Sequence, residues 1–266
     1  MPSINHTTIN SHPGRNGDSY WIAFDNQRKC IGNHQDIFKG KFNGNGPLRG
    51  QFAAVKVPRG EKGTARWCDT QIAINRKVYD AAKSFHKFLG LTSPRFHFTD
   101  SWKVLMDETC FFTDRIHHNE WVVVEEYMGK DMYPFIDNEG RAGFGNCEVL
   151  EAFVHWSYVN SGGFLIVCNL EGIYNTTFKL KTPTIHSMDS CYGFCDKGEA
   201  GISKILNEHR CNHICAEWNK PPSMNSALMS ACRRRPSAPC LVNDDSILPS
   251  YSMACKNKIM FDRAPP

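Results

Sequence analysis

The chain has 266 residues, 41% of them hydrophobic, with 31 Lys and Arg against 27 Asp and Glu, which suits one large or two small globular domains. The formal net charge of +4 resides wholly in residues 219–266, where seven basic side chains face three acidic ones, so residues 1–218 sum to zero. A neutral body lacks the Lys and Arg excess that nucleic-acid phosphates require, no apolar run approaches the roughly 20 residues of a membrane span, and the N-terminus lacks a signal-peptide core. A cytoplasmic protein with no nucleic-acid or membrane partner is therefore expected, its twelve cysteines mostly thiols or metal ligands rather than a disulfide framework.

Residues 1–18, rich in Ser, Thr, Asn, His and Gly, predict a disordered or loosely attached arm. Strands follow at Tyr20–Phe24, Ile37–Phe42, Gln51–Val57, Arg95–Leu105 and Trp121–Met128, each aromatic or β-branched and most bounded by Gly, Pro, Asn or Asp. Between the third and fourth, Ile72, Val78, Ala82, Phe85 and Phe88 recur at helical spacing over Ala65–Leu89, stopped by Gly90 and Pro94. The second half predicts a helix at Glu148–Val159, a buried strand at Phe164–Leu170, and short helices at Glu199–Asn207 and Cys211–Trp218. This is an α+β pattern of two lobes with a hinge near Met128–Asp137 and a cleft between them. Seven of the fourteen prolines fall after Trp218, which predicts a disordered, Pro-rich basic tail over 219–266. Its Arg233-Arg234-Arg235 run reads as a solvated charge run, or as a phosphorylation, nuclear-import or acidic-partner motif.

Several residues could carry chemistry. GKFNGNGPLRGQFAAVKVPRG sets Gly40, Gly44, Gly46 and Gly50 before a strand bearing Lys56. This pattern can cradle phosphates through backbone N–H groups and a fixed lysine, or it is a glycine-rich hairpin. Val122–Met128 is an apolar strand running into Glu125, Glu126 and Tyr127, an end that could offer backbone groups to a nucleobase or simply be solvated. His209, Cys211 and Cys215 form H-x-C-x₃-C; on a helix, Cys211 and Cys215 would share a face, and a fourth nitrogen or sulfur would close a tetrahedral site. His213, two residues from Cys211, would point elsewhere. A hydrolase built on Cys168 or Cys195 with His155 lacks an oxyanion-hole signature and a third residue.

Three ordered motifs resemble the alpha-type protein kinases: EAFVHWSYVNSGGFLIVCNLEGI (Glu151–Ile173), KTPTIHS (Lys181–Ser187) and GISKILNEHRCNHICAEW (Gly201–Trp218). The resemblance implies a two-lobed protein-kinase-like α+β fold over residues 19–218 with a structural Zn²⁺ site in its C-terminal lobe. It implies ATP-dependent serine/threonine phosphorylation of a protein substrate, with Lys56 on the phosphates, Glu125, Tyr127 and Met128 on adenine, and Gly193 and Gly198 in a glycine-rich loop. It also supplies His186 as the fourth zinc ligand beside His209, Cys211 and Cys215.

The pattern departs from the family at its centre. Asn169 and Thr182 stand where the family has aspartates, Glu171 where it has Gln, and Cys195 at the middle glycine of Gly193–Gly198, where a Cβ threatens the loop's conformation. Asn169 offers a neutral oxygen but accepts no proton, so Asn169 and Glu171 remain as the candidates around Mg²⁺. The alternative to a working kinase is a pseudokinase that keeps the fold and serves as a nucleotide-binding or scaffold module. No acidic partner for Lys56 is evident beyond Asp69 and Asp80 on the Ala65–Leu89 helix.

Overall fold

Alternation of side chains between two faces builds the first half of the chain, and apolar helix stripes build the second. The computed structural model describes residues 4–7, 16–31, 34–92, 95–107, 116–143, 145 and 147–218; the basic tail 219–266, with Arg233–Arg235, lies outside them. In chain order the elements are β1 (Ile4–His6), β2 (Tyr20–Ile31), β3 (Gln35–Gly44), β4 (Phe52–Pro58), α1 (Ala65–Phe88), β5 (Phe96–Phe98), β6 (Ser101–Leu105) and β7 (Trp121–Glu126). There follow β8 (Tyr133–Ile136), α2 (Glu148–Asn160), β9 (Leu165–Cys168), β10 (Leu170–Tyr174), β11 (Phe178–Leu180), β12 (Thr184–Ser187) and α3 (Gly198–Glu208). No helix among the described residues is long and apolar enough to cross a membrane.

The described residues divide into two compact units, one taking in those up to Asp69 and in Asp100–Tyr127, the other those in Thr70–Thr99 and from Met128 to Trp218. The first unit holds a six-stranded sheet, ordered β1-β2-β3-β4-β7-β6, with every neighbouring pair antiparallel. One face of it buries Phe38 and Phe42 of β3, Ala53, Val55 and Val57 of β4, Trp102 and Val104 of β6, and Val122 and Val124 of β7. Tyr20 meets Phe42 and Trp102 edge to face, each at 5.0 Å between centroids. Since successive strand residues point to opposite faces, Lys56, Lys103, Val123 and Glu125 all belong to the other face.

The second unit contains a four-stranded sheet, β5-β11-β10-β8, and a two-stranded one, β12-β9. Ile74, Val78 and Phe85 of α1 share one core with Leu150, Phe153 and Val154 of α2, Ile166 and Val167 of β9, and Ile202 and Ile205 of α3. Thr64 caps α1, its Oγ1 accepting the Trp67 N–H at 3.2 Å. Gly90, at φ +64, ends it with the Leu91 N–H bonded back to His86.

Three expectations change. Ile4–His6, inside the expected arm, is β1, and the Thr7 hydroxyl accepts the Ile22 N–H at 2.9 Å. Arg95–Leu105 is two strands in different sheets, parting after Thr99, whose N–H bonds Leu180 O at 2.9 Å. Phe164–Leu170 is likewise two strands, because Asn169 sits at φ +56, a left-handed conformation that Asn tolerates better than most residues and that redirects the chain.

Phe153 has no exposed surface and lies 4.8 Å from Phe96 and 5.6 Å from Phe85, centroid to centroid. Phe153→Ala should therefore destabilise the protein by about 3–5 kcal/mol in urea unfolding; a change within about 0.5 kcal/mol, typical of an exposed site, would contradict this packing.

Candidate functional site

Lys56 Nζ lies 2.6 Å from Glu125 Oε2, and their side chains are 6% and 2% exposed. The antiparallel register aligns Ala54 with Glu125 and Lys56 with Val123, so the two charged residues sit diagonally on the face opposite the aromatic core. Ser101, aligned with Glu125 across β6 and β7, donates its hydroxyl to Glu125 Oε1 at 3.1 Å. The acid missing from the helix is thus supplied by a strand, and Glu125, expected on adenine, has its carboxylate engaged by Lys56. Asp69 of α1 pairs instead with Lys103, at 2.7 Å. Tyr127 donates its N–H to Phe52 O at 3.0 Å, and Lys39 lies over the Phe52 ring at 3.5 Å and the Tyr127 ring at 5.1 Å. Met128, half-buried, begins the second unit.

The glycine-rich turn between β3 and β4 is a self-bonded hairpin end. Leu48 N–H goes to the Tyr20 hydroxyl, Arg49 N–H to Gly46 O, Gly50 N–H to Phe42 O and Gln51 N–H to Leu48 O. Gly46 lies against the Tyr20 ring where a Cβ would clash, so that glycine answers a packing constraint. The hairpin alternative fits this turn better than a phosphate cradle.

In the second unit Asn169 is the pivot between β9 and β10. Its N–H donates to Asp137 O at 3.0 Å and its Nδ2 to Thr184 Oγ1 at 3.4 Å. Thr182 is buried, and its Oγ1 accepts from Asn75 Nδ2 at 3.4 Å. The Glu171 carboxylate forms an ion pair with Lys181, which no sequence signal had singled out.

The Gly193–Gly198 loop folds around Asp196. Its carboxylate accepts the N–H groups of Ser187, Tyr192 and Gly198 at 2.8, 3.1 and 2.9 Å, and the Ser187 hydroxyl at 2.5 Å. Gly193 and Gly198 adopt φ +85 and +63, whereas Cys195 is not among the residues at positive φ. The side chain at the middle position therefore imposes no left-handed strain, contrary to expectation.

Four ligand-bearing side chains converge in the second unit: His155, His209, Cys211 and Cys215, whose donor atoms all lie within 4.8 Å of one another. Cys211 Sγ is 3.6 Å from His155 Nδ1, and Cys215 Sγ is 3.5 Å from His209 Nε2. A tetrahedral ion bonded at about 2.0–2.3 Å has ligand-to-ligand edges of about 3.5 Å, so the set suits Cys₂His₂ coordination. His155 rises from the buried side of α2. The other three lie beyond α3, whose last turn gives way at His209 (ψ 126) to a run of turns rather than the expected helix over Cys211–Trp218. Asn212 organises those turns: its Oδ1 accepts the Ile214 N–H at 3.0 Å, and its Nδ2 donates to Glu148 O at 2.8 Å. Trp218 stands 5.6 Å from the His155 ring, shielding this side. Burial pushes the Cys215 thiol up to about 11, and a bound cation would reverse that by taking the thiolate as ligand.

His186 does not join this group. Its Nδ1 accepts the Lys197 N–H at 3.2 Å, its Nε2 faces Cys168 Sγ at 3.6 Å, and its ring packs on Gly201 of α3. Both ring nitrogens are thus committed elsewhere, and His155 takes the position expected of His186. His213 is also outside, 3.7 Å from Glu148 on the surface. The hydrolase reading loses its parts, since His155 sits with Cys211 and burial pushes the Cys168 thiol up to about 12, leaving it protonated. None of Cys68, Cys147, Cys168, Cys191, Cys195, Cys211 and Cys215 is in a disulfide.

Residues 31–215 match the family described as the Alpha-kinase family. Alpha-protein kinase vwkA of Dictyostelium discoideum is 30% identical over 145 residues, covering 50% of this chain and 21% of its own. Transient receptor potential cation channel subfamily M member 6 of Mus musculus is 30% identical over 109 residues, 39% of this chain and 5% of that protein. The chain thus corresponds to a small part of each. Among solved structures, the alpha-kinase domain of myosin heavy chain kinase A in complex with AMP gives a TM-score of 0.65 at 17% identity, covering 81% of this chain and 98% of that one. The inactive form of that domain in complex with ATP gives 0.63 at 15% identity, covering 81% and 95%. Both share this fold.

Removing one partner of a buried ion pair strands the other. Lys56→Met alone should cost about 3–5 kcal/mol of stability in urea unfolding, and Lys56→Met combined with Glu125→Leu should recover most of it; a single variant as stable as wild type would show that the pair is not buried in solution.

Proposed function

Because the chain belongs to the alpha-kinase family, we propose that it is an ATP-binding domain of the serine/threonine protein kinase type whose phosphoryl-transfer step is impaired. The buried Lys56–Glu125 pair carries the nucleotide half of this reading. An ammonium held at 2.6 Å by a strand-borne carboxylate is fixed in place before ligand arrives, so little side-chain order is lost when it meets phosphate oxygens. Glu125 acts here as a positioning residue for Lys56, while Tyr127 and Met128, just past the end of β7, serve the adenine. Gly193 and Gly198 shape the loop beside the acceptor. Solved relatives with AMP and with ATP support a nucleotide ligand.

The impairment rests on Asn169. In the position the family gives to an aspartate, its amide can orient a substrate hydroxyl but cannot take the proton released as that oxygen attacks phosphorus. Thr182, at the second such position, adds no base. The inactive form of the myosin heavy chain kinase A domain was solved with ATP, so in this fold nucleotide binding persists without transfer. A competent kinase acting on protein serine or threonine is the second reading, favoured by the same Lys56–Glu125 pair.

We assign a structural Zn²⁺ to His155, His209, Cys211 and Cys215. Four protein ligands leave no position for water, and the ion would tie α2 to the turns beyond α3. His186 is not a ligand in this assignment.

A phosphotransfer assay with labelled ATP and a helical Ser/Thr substrate separates the two readings. Wild-type transfer should fall about 100-fold or more below that of Asn169→Asp with Thr182→Asp, the span of a general base. Wild-type transfer equal to that variant, and lost in Lys56→Met combined with Glu125→Leu while the fold is kept, would establish the competent kinase instead. Metal analysis should find about one zinc per chain, lost in His155→Ala and kept in His186→Ala; the reverse pattern would restore His186 as the ligand.

A further inference from the structure

The C-terminal ends of α1 and α2 meet in the second unit at a ledge of aromatic side chains. The Ser84 hydroxyl donates to Asn160 Oδ1 at 3.3 Å and ties the two ends together. Phe88, the last residue of α1, is 56% exposed, and Val159 of α2 is 39% exposed. The Phe88 ring lies 4.4 Å from that of Trp156 and 5.8 Å from that of Trp218, and the two indoles are 5.5 Å apart, centroid to centroid. Phe85, without exposed surface, backs them at 5.9 Å from Trp156 and 6.3 Å from Trp218. Apolar side chains grouped and left open in this way mark an interaction surface. A polar requirement accompanies it: the Trp156 indole N–H is buried and finds no acceptor among the described residues, and a buried donor without one is costly. The occupant of the ledge must bring both an apolar surface and a carbonyl that is not already bonded.

We propose that the occupant is the next segment of this same chain, Asn219-Lys220-Pro221-Pro222, which lies outside the described residues and folds back on the ledge as an intrachain strap. The segment starts within the ledge, because Trp218 is one of its rings. Pro221, three residues on, is at most about 11 Å from Trp218 along the backbone, enough to span the 5.8 and 5.5 Å from Trp218 to Phe88 and Trp156. Each proline holds the residue before it extended, and a Pro-Pro pair favours the polyproline II helix, whose carbonyls have no internal partner. Such segments lay their pyrrolidine rings on aromatic side chains, and a carbonyl of Asn219 or Lys220 supplies the acceptor that Trp156 lacks. The tether and the preformed helix keep the loss of freedom on docking small, whereas a second copy of the chain would lose its translational freedom as well. Docking also pins Trp218, which stands 5.6 Å from the His155 ring, so the strap covers one flank of the His and Cys cluster.

Hydrogen exchange at the Trp156 indole, followed by ¹H–¹⁵N NMR on the full chain, tests the strap. The indole proton should exchange about tenfold more slowly in wild type than in Pro221→Ser combined with Pro222→Ser. Equal rates in the two, whether fast or slow, overturn the proposal, and so does protection in wild type that grows with protein concentration, which would place a second copy on the ledge. A double-mutant cycle in urea gives an independent reading: Phe88→Ala and the paired proline substitutions should depart from multiplicative effects on the unfolding constant by about fivefold, and strictly multiplicative effects overturn the proposal. If Phe88→Ala does not fold, the exchange comparison decides, since the two prolines lie outside both cores.

Discussion

A charge pair placed inside a β-sheet governs the first unit. Lys56 and Glu125 occupy neighbouring strands on the face that the aromatic core does not use, and neither tolerates burial without the other. Their 2.6 Å contact therefore locks the register of β4 against β7: a one-residue slip of β4 would turn Lys56 into the layer of Val55, Trp102 and Val124 and strand Glu125 on the other face. Ser101 extends the lock to β6. Under the proposed function, function and fold meet in one constraint, since the interaction that fixes Lys56 also keeps three strands aligned.

Much of the frame was legible in the residues. Strands with period-two patterns, such as Ile37–Phe42 and Gln51–Val57, and helices with clear apolar stripes and stops, such as Ala65–Leu89, appear close to where their spacing placed them. Breaks within apolar runs were not legible. Asn169 interrupts one run through its left-handed φ, and Thr99 and Asp100 divide another between two sheets; both are backbone events that hydrophobicity does not record. The acidic partner of Lys56 was hidden for a related reason. Cross-strand neighbours are set by register, and the distance from Lys56 to Glu125 along the chain says nothing about it.

The His and Cys cluster shows how local spacing misleads. H-x-C-x₃-C suggested a helix face, yet the three residues sit on turns braced by Asn212, and the fourth donor comes from α2. The available signal was the character of α2 itself: His155 stands beside Ala152, Phe153 and Val154, all buried. An imidazole on a buried apolar face requires a partner. His186 met the same requirement differently, through Lys197 and Cys168. Two buried histidines with two separate solutions cannot be told apart by motif alone.

Trp218 gives the second unit an optical property. Its indole lies 5.6 Å from the His155 ring and 5.5 Å from Trp156, so whatever occupies the His and Cys cluster sits beside an intrinsic fluorophore. Exchange of a closed-shell ion there for cobalt, whose ligand-field absorption extends into the visible, would change both colour and emission. The state of the cluster can thus be followed in the intact chain without an attached label.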